Sequence, residues 1–206
     1  NRWHPRGTVE LARKYGKMLA GAVDKTLGGS MRPVNGPLKP AYAVFPLAFA
    51  PPPSREELEA RARGQNTDAG RQVQEFLKIN NDDFRKHAQE LLKMMDRNER
   101  LPAEYPYPIQ VWQFGRDLTL LALAGEVVVD YAVRLKKELD PEKLWLAGYS
   151  NDVFAYIPSL RVLQEGSYEG GGAIAGARLP GPFAPDVEEL IIRKVHEQVR
   201  RVRSKR

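Results

Sequence analysis

The segment Leu118-Thr-Leu-Leu-Ala-Leu-Ala-Gly-Glu126 decides the fold that the sequence predicts. Its apolar first part is typical of a buried strand, and its alanine-glycine break brings Glu126 to the start of a helix predicted over 127–139. Similar breaks, with small residues followed by a polar side chain, come after Leu144–Ala147 and at 166–172. Loops that follow strands carry the functional groups of many α/β proteins. The pattern therefore predicts a site at the strand ends.

The chain around this segment predicts an α/β fold, with a mixed sheet and packed helices. Prolines over 31–53 confine a strand at 41–49 to the edge of the sheet. An extended lead-in over 105–108, an alternating run at 109–114 and a return through Leu118–Leu123 predict a hairpin whose second strand is buried. Capping residues and apolar spacing predict helices at 8–27, 54–63, 71–78, 82–97 and 127–139, and one that begins at Pro185.

The composition is that of a globular protein, with 42% hydrophobic and 28% charged residues among 206. No apolar run reaches the length of a membrane span. The absence of cysteine excludes disulfides and thiolate metal sites. Because the chain opens on Asn1, with neither an initiator Met nor a visible signal peptide, we expect a processed form, a recombinant form or a fragment.

The net charge of +6 is concentrated in the segment Arg200–Arg206. Such a segment can bind nucleic acid or anionic lipid. It can equally be a solvated helix end whose cations complement the helix dipole. The absence of interleaved aromatic residues favours the second interpretation, so no nucleic-acid partner is expected.

The three histidines, His4, His87 and His196, do not form a metal site by their spacing. His87 and His196 fall on the polar faces of their predicted helices. There is no Gly-x-Ser-x-Gly nucleophile motif. The glycines at 170–172 lack the strand, helix and lysine of a phosphate loop, so they predict a flexible turn.

Glu126, Tyr156 and Tyr168 each have two interpretations from the sequence. A carboxylate at the start of a helix stabilises the helix dipole, but between a buried strand and a helix it is also well placed for function. Aromatic residues in strands and loops usually belong to the core. The residues alone leave these alternatives open.

The ordered set Gly125-Glu126, Gly148-Tyr-Ser-Asn151, Tyr156-Ile-Pro158 and Tyr168-Glu-Gly170 resembles the neutral/alkaline (non-lysosomal) ceramidase family. In particular, it looks like the bacterial ceramidase-like proteins of that family. The segments 1–9 and 181–189 also look like family segments, and the likeness is weakest over 30–100. The resemblance implies that residues 1–206 are the C-terminal part of a ceramidase-like catalytic domain, with 54–100 a small helical insertion.

The resemblance implies a zinc-dependent amidohydrolase in which zinc-bound water attacks the amide bond of ceramide or a related N-acyl lipid. Its zinc ligands fall on Glu126 and Tyr156, its oxyanion donor falls on Tyr168, and Asn151 would orient the loop or a ligand. The family's two zinc histidines and its active-site serine lie in an earlier part of the domain that this chain does not contain. The resemblance further implies a secreted or periplasmic protein whose lipid substrate is presented at a membrane surface.

Two other functions compete with this interpretation. The first is a non-catalytic scaffold or interaction module that keeps the fold without the metal. The second is a basic surface binder that acts through the segment 193–206. The chain also departs from the family at one motif, because it has Ala124-Gly-Glu126 where the family has Pro-Gly-Glu.

Overall fold

The structure is a computed structural model that describes residues 7–65, 82–166, 168–177 and 179–204. The chain divides into two units, 1–34 and 35–206, which are described separately. In the first unit, helix α1 (Val9–Leu27) begins after Thr8, whose Oγ1 accepts a hydrogen bond from the Leu11 amide at 3.2 Å. It ends at Gly28, so the predicted helix over 8–27 is confirmed.

The second unit contains both strands and helices. Its strands are β1 (Leu38–Ala48), β2 (Glu104–Phe114), β3 (Leu118–Leu123), β4 (Glu126–Val127), β5 (Leu144–Ala147) and β6 (Tyr156–Ile157). Its helices are α2 (Arg55–Ala62), α3 (Asp82–Asp96), α4 (Val129–Leu139), α5 (Leu160–Glu165), α6 (Ile174–Ala177) and α7 (Val187–Arg203), with a π-helical turn over Tyr168–Gly172. The helix predicted at 71–78 lies outside the described residues.

Four strands form one sheet in the order β1-β2-β3-β5, and β4 pairs with β6 in a separate two-stranded sheet. The pairs β1–β2 and β2–β3 are antiparallel, whereas β3–β5 and β4–β6 are parallel. The predicted α/β fold with a mixed sheet is thereby confirmed. Within the described residues, no helix is both long enough and apolar enough to cross a membrane.

Strand β2 begins earlier than the sequence predicts. The segment 105–108, predicted as an extended lead-in, pairs with β1 in a register that places Pro46 opposite Pro106. Proline cannot donate to a neighbouring strand and is excluded from the centre of a sheet. It is tolerated here because β3 pairs only with residues 109–114, which leaves Pro106 and Pro108 with a single neighbouring strand.

The core lies between the sheet and the helices α4 and α7. Helix α7 packs across β1 and β2 with the apolar residues that the sequence predicts to face inward, of which Val187, Ile191, Val195, Val199 and Val202 are buried and Leu190 is half-buried; Ile192 is buried in addition. Helices α2 and α3 pack on each other around a separate small cluster of buried residues, Leu58, Ala88 and Leu91. The prediction that His87 lies on a polar face is wrong. Its side chain is buried, and its Nε2 lies 2.6 Å from the Leu179 carbonyl oxygen.

Two local predictions also need correction. Helix α4 begins at Val129, so Glu126 lies in strand β4 and does not belong to the first helical turn. The apolar segment Leu144–Ala147 predicts a further buried strand, but it forms β5 at an edge of the sheet and leaves Trp145 exposed, so it is only partly buried. The glycines at 170–172 lie in a turn that is kinked at Gly171, and Gly170 is buried against α5, while the predicted flexibility of this turn stays a prediction.

Candidate functional site

The candidate site lies where β3 and β5 end. These strands are parallel, so their C-terminal ends meet at the same edge of the sheet. The chain leaves β3 through Gly125 into β4, and it leaves β5 through the turn 148–151 toward β6. The pairing of β4 with β6 then sets Glu126 directly opposite Tyr156.

Gly125 fixes the position of Glu126. Its φ of +70° lies in the left-handed region, which favours glycine. A Cβ atom at this position would lie 2.7 Å from Ile157 Cγ1 and 2.8 Å from the Ala155 carbonyl oxygen. The Gly125 amide donates to the Asp152 carbonyl at 2.8 Å, and the Glu126 amide donates to the Ala155 carbonyl at 2.9 Å. The backbone that carries Glu126 therefore packs closely against the segment 152–157.

Two tyrosines of β2 form hydrogen bonds with the segments on either side of this contact, at Ala124 and at Asp152. The Tyr107 hydroxyl, which is fully buried, donates to the Ala124 carbonyl at 2.8 Å. The Tyr105 hydroxyl donates to Asp152 Oδ2 at 2.6 Å, and its ring stacks on that of Phe154. Burial and the nearby Asp152 carboxylate raise the pKa of Tyr105 to about 12. Because both phenols stay neutral at physiological pH, both can remain donors.

The Glu126 carboxylate is shared by two further phenols, those of Tyr149 and Tyr156. The hydrogen bond to Glu126 is the main reason that the pKa of Tyr156 is raised well above its ordinary value. The same contact raises the pKa of Tyr149. A neighbouring negative charge disfavours the phenolate, so both hydroxyls stay protonated and can donate to the carboxylate. The result is one acid and two phenols at the strand ends.

Tyr168 joins this group through a cavity of about 270 Å³ that Glu126, Tyr156 and Tyr168 line together. The rings of Tyr156 and Tyr168 meet edge to face, with centroids 5.4 Å apart. The rest of the cavity wall is mainly apolar and consists of Val153, Phe154, Ala155, Ala173, Gly176 and Ala177. The site thus combines a small polar cluster with a hydrophobic wall.

The structure brings together three of the four site residues that the sequence predicts, namely Glu126, Tyr156 and Tyr168. The fourth, Asn151, is exposed, has a φ of +69° and does not line the cavity. Its role in orienting the loop or a ligand remains a prediction. Asparagine tolerates the left-handed region better than most residues, which accounts for its place in this turn.

Sequence reasoning missed Tyr149. It has a φ of +52°, which is unusual for a residue other than glycine, and its amide donates to the Gly125 carbonyl at 2.9 Å. Strained backbone of this kind clusters at functional sites. Its position directly after a strand in the turn 148–151 is the signal from which it could have been found.

The site supplies oxygen donors for a metal, but only a partial set. The Glu126 carboxylate and the Tyr156 phenol lie next to each other. In the described ranges, no three His, Cys, Asp or Glu side chains are grouped so that they could hold a metal ion. A zinc ion usually needs about three protein ligands in a catalytic site. The pair can therefore provide part of a zinc site, and further ligands would have to complete it.

Comparison of the chain with protein-family models, curated proteins and solved structures finds no match.

Proposed function

We propose that this chain carries part of the catalytic site of a zinc-dependent amidohydrolase that cleaves the amide bond of ceramide or a related N-acyl lipid. The observation that carries the proposal is the pairing of Glu126 with Tyr156 on two adjacent parallel strands, beside a mainly apolar cavity that both residues line. Glu126 and Tyr156 are the two residues on which the ceramidase-like ligand positions fall. Zinc held there would activate water and polarise the amide carbonyl.

Each side chain of the site has a different role in the proposed reaction. Glu126 supplies an anionic oxygen, and its contact with Tyr156 keeps the two donors side by side. Tyr168, on the same cavity, donates a hydrogen bond to the oxyanion that forms when the amide carbonyl is attacked. Tyr149, whose hydroxyl interacts with the Glu126 carboxylate, helps to hold that carboxylate in place.

The wall of the cavity supports an acyl chain as the bound group. Its alanines, Phe154 and Val153 offer hydrocarbon surface beside the polar cluster. Each buried methylene contributes about 0.8 kcal/mol to binding, so even a few methylenes give an N-acyl lipid a clear advantage over a short amide. An amide carbonyl at the end of such a chain would reach the polar cluster.

Zinc is expected to convert Tyr156 into a phenolate at neutral pH. In the free protein the Glu126 carboxylate raises the pKa of Tyr156, so the phenol stays protonated. A divalent cation reverses the sign of the local charge and lowers that pKa. Titration of the natural gene product that contains this chain with zinc should therefore produce the near-ultraviolet absorbance of phenolate. Glu126→Gln should weaken zinc binding at least ~10-fold, because a ligand is lost.

The matched control for this titration is Tyr42→Phe, which removes an exposed tyrosine of β1 outside the cavity. It should keep the full phenolate signal, whereas Tyr156→Phe should lose it. An equal signal from Tyr156→Phe and Tyr42→Phe would show that Tyr156 is not a ligand. Zinc binding that is unaffected by Glu126→Gln would show that Glu126 is not a ligand, and no zinc binding at all would leave the scaffold interpretation.

Tyr168→Phe is expected to lower the kcat for ceramide hydrolysis by about 100-fold, because one oxyanion donor is removed. The assay measures fatty-acid release by the natural gene product that contains this chain. The KM should change little, since the edge-to-face contact with Tyr156 is retained by phenylalanine. A variant with unchanged kcat would rule out Tyr168 as the donor, and no release from any N-acyl lipid would refute the proposed reaction.

A further inference from the structure

A second and larger cavity lies at the opposite ends of the same strands. Its volume is about 480 Å³, and residues at its wall include the end of β2 (Gln113), the β2–β3 turn (Gly115 and Arg116) and Lys143, which precedes β5. The strands β3 and β5 start here and end at the candidate catalytic site. The cavity is therefore separate from the Glu126 cluster and shares no lining residue with it.

Basic side chains dominate this second cavity, which we call the basic cavity. Four cations line it, Lys39, Arg116, Lys143 and Arg203, against one carboxylate, Asp140. Across the described ranges, none of the four has a carboxylate within ion-pair distance. Surface cations in this chain are otherwise often paired, as Arg134 is with Glu138, Glu188 and Glu189.

Arg203 is held in place by neutral groups rather than by an acid. Its Nε donates to Gln113 Oε1 at 3.3 Å, and its Nη2 donates to Thr119 Oγ1 at 2.9 Å and to the Leu139 carbonyl at 3.5 Å. Gln113 and Thr119 are themselves buried and joined by a hydrogen bond of 2.6 Å. The third guanidinium nitrogen of Arg203, Nη1, takes no part in these three hydrogen bonds. The guanidinium is therefore fixed at the cavity wall with donors left for a ligand.

The balance of charge in the basic cavity remains positive after the opposing groups are counted. Helices α4 and α7 both end here, and each C-terminus contributes roughly half a negative charge. Together with Asp140, these ends offset about two of the four cations. About two positive charges remain, which matches the charge of a phosphate group at neutral pH.

We propose that the basic cavity binds the phosphate group of a small anionic ligand, either a free phosphorylated molecule or a lipid headgroup. Arg203 forms the fixed anchor, and Arg116 and Lys143 close on the phosphate from the β2–β3 turn and from the start of β5. The volume exceeds that of phosphate alone and lies within the range of small-molecule pockets, so an organic portion of the ligand fits beside it.

The test is a calorimetric titration with inorganic phosphate at constant ionic strength. Arg116→Gln/Lys143→Gln removes two cavity cations whose side chains form no hydrogen bond or ion pair within the described part of the chain, so the fold should be retained. The matched control, Lys86→Gln/Arg100→Gln, removes the same charge at exposed positions outside the cavity. Phosphate affinity should fall about 10-fold in the cavity variant and stay unchanged in the control.

Vesicles separate the two sources of the phosphate group. If the natural ligand is a headgroup, the chain should bind phosphatidylglycerol vesicles but not phosphatidylcholine vesicles, and the cavity variant should lose this binding while the control keeps it. If the ligand is free, phosphate should bind and vesicles should not. Equal losses in the cavity variant and the control, or no response of the unaltered chain to phosphate or to vesicles, would overturn the proposal.

Discussion

Gly125→Ala is expected to lower the free energy of unfolding by about 2–4 kcal/mol. Part of this cost is conformational, because alanine disfavours a φ of +70°. The rest is steric, since the new Cβ would lie 2.7 Å from Ile157 Cγ1 and 2.8 Å from a backbone carbonyl oxygen, which has little room to move. Denaturant unfolding, followed by circular dichroism, should show a lower midpoint with an unchanged slope.

The control for this prediction is Gly176→Ala. Gly176 lies in α6, and no atom would be within 4 Å of an added Cβ. Its effect should stay within about 0.5 kcal/mol of zero. If both variants have equal stability, Gly125 does not fix the backbone beneath Glu126. A loss confined to Gly125→Ala, together with a weaker zinc response, would tie the glycine to the geometry of the site.

Ile191→Ala is expected to cost about 2–5 kcal/mol of unfolding free energy. Ile191 is fully buried on the face of α7 that packs across β1 and β2. Truncation removes transfer free energy and leaves a cavity between helix and sheet, which the rigid strands cannot fill. Urea unfolding measures the loss, and a midpoint shift without a change in slope identifies it as a loss of stability.

Arg193→Ala is the matched variant on the exposed side of the same helix. Both variants place alanine in the same helix, so their changes in helix propensity are similar. Because Arg193→Ala removes no buried surface, its effect on the free energy of unfolding should stay within about 0.5 kcal/mol of zero. Comparable losses in both variants would mean that α7 is held by helix propensity rather than by its apolar face. The predicted packing of α7 on the sheet would then be wrong.

The long elements of the fold were predictable because their signals are local. Helix α7 shows apolar residues at helical spacing, and Ser54 with Glu57 forms the capping box that the sequence predicts for α2. Strand β1 was placed at an edge from its prolines alone. Hydrophobic periodicity and capping depend on residues a few positions apart, so one sequence is enough to read them.

The site was predictable in its members but not in its geometry. Glu126 and Tyr156 meet because two strands of two residues each pair across 30 positions, and so short a strand has no periodicity to detect. For the same reason Glu126 was placed at a helix start, although α4 begins only at Val129. The contact of Tyr149 with Glu126 depends on a positive φ that its residue type disfavours, so no propensity could indicate it.

The proline register of β1 and β2 also limits how the sheet can grow. Pro46 and Pro106 lie opposite each other and have no N–H, so they form a non-hydrogen-bonded pair. Hydrogen-bonded and non-hydrogen-bonded pairs alternate along antiparallel strands. The backbone N positions of the even-numbered residues of β1 therefore point away from β2, toward the edge of the sheet. Two of the four such positions from 40 to 46 are prolines and carry no N–H. A strand from another molecule that docked on this edge would leave carbonyl groups without donors. The edge therefore resists the intermolecular β-pairing that starts aggregation.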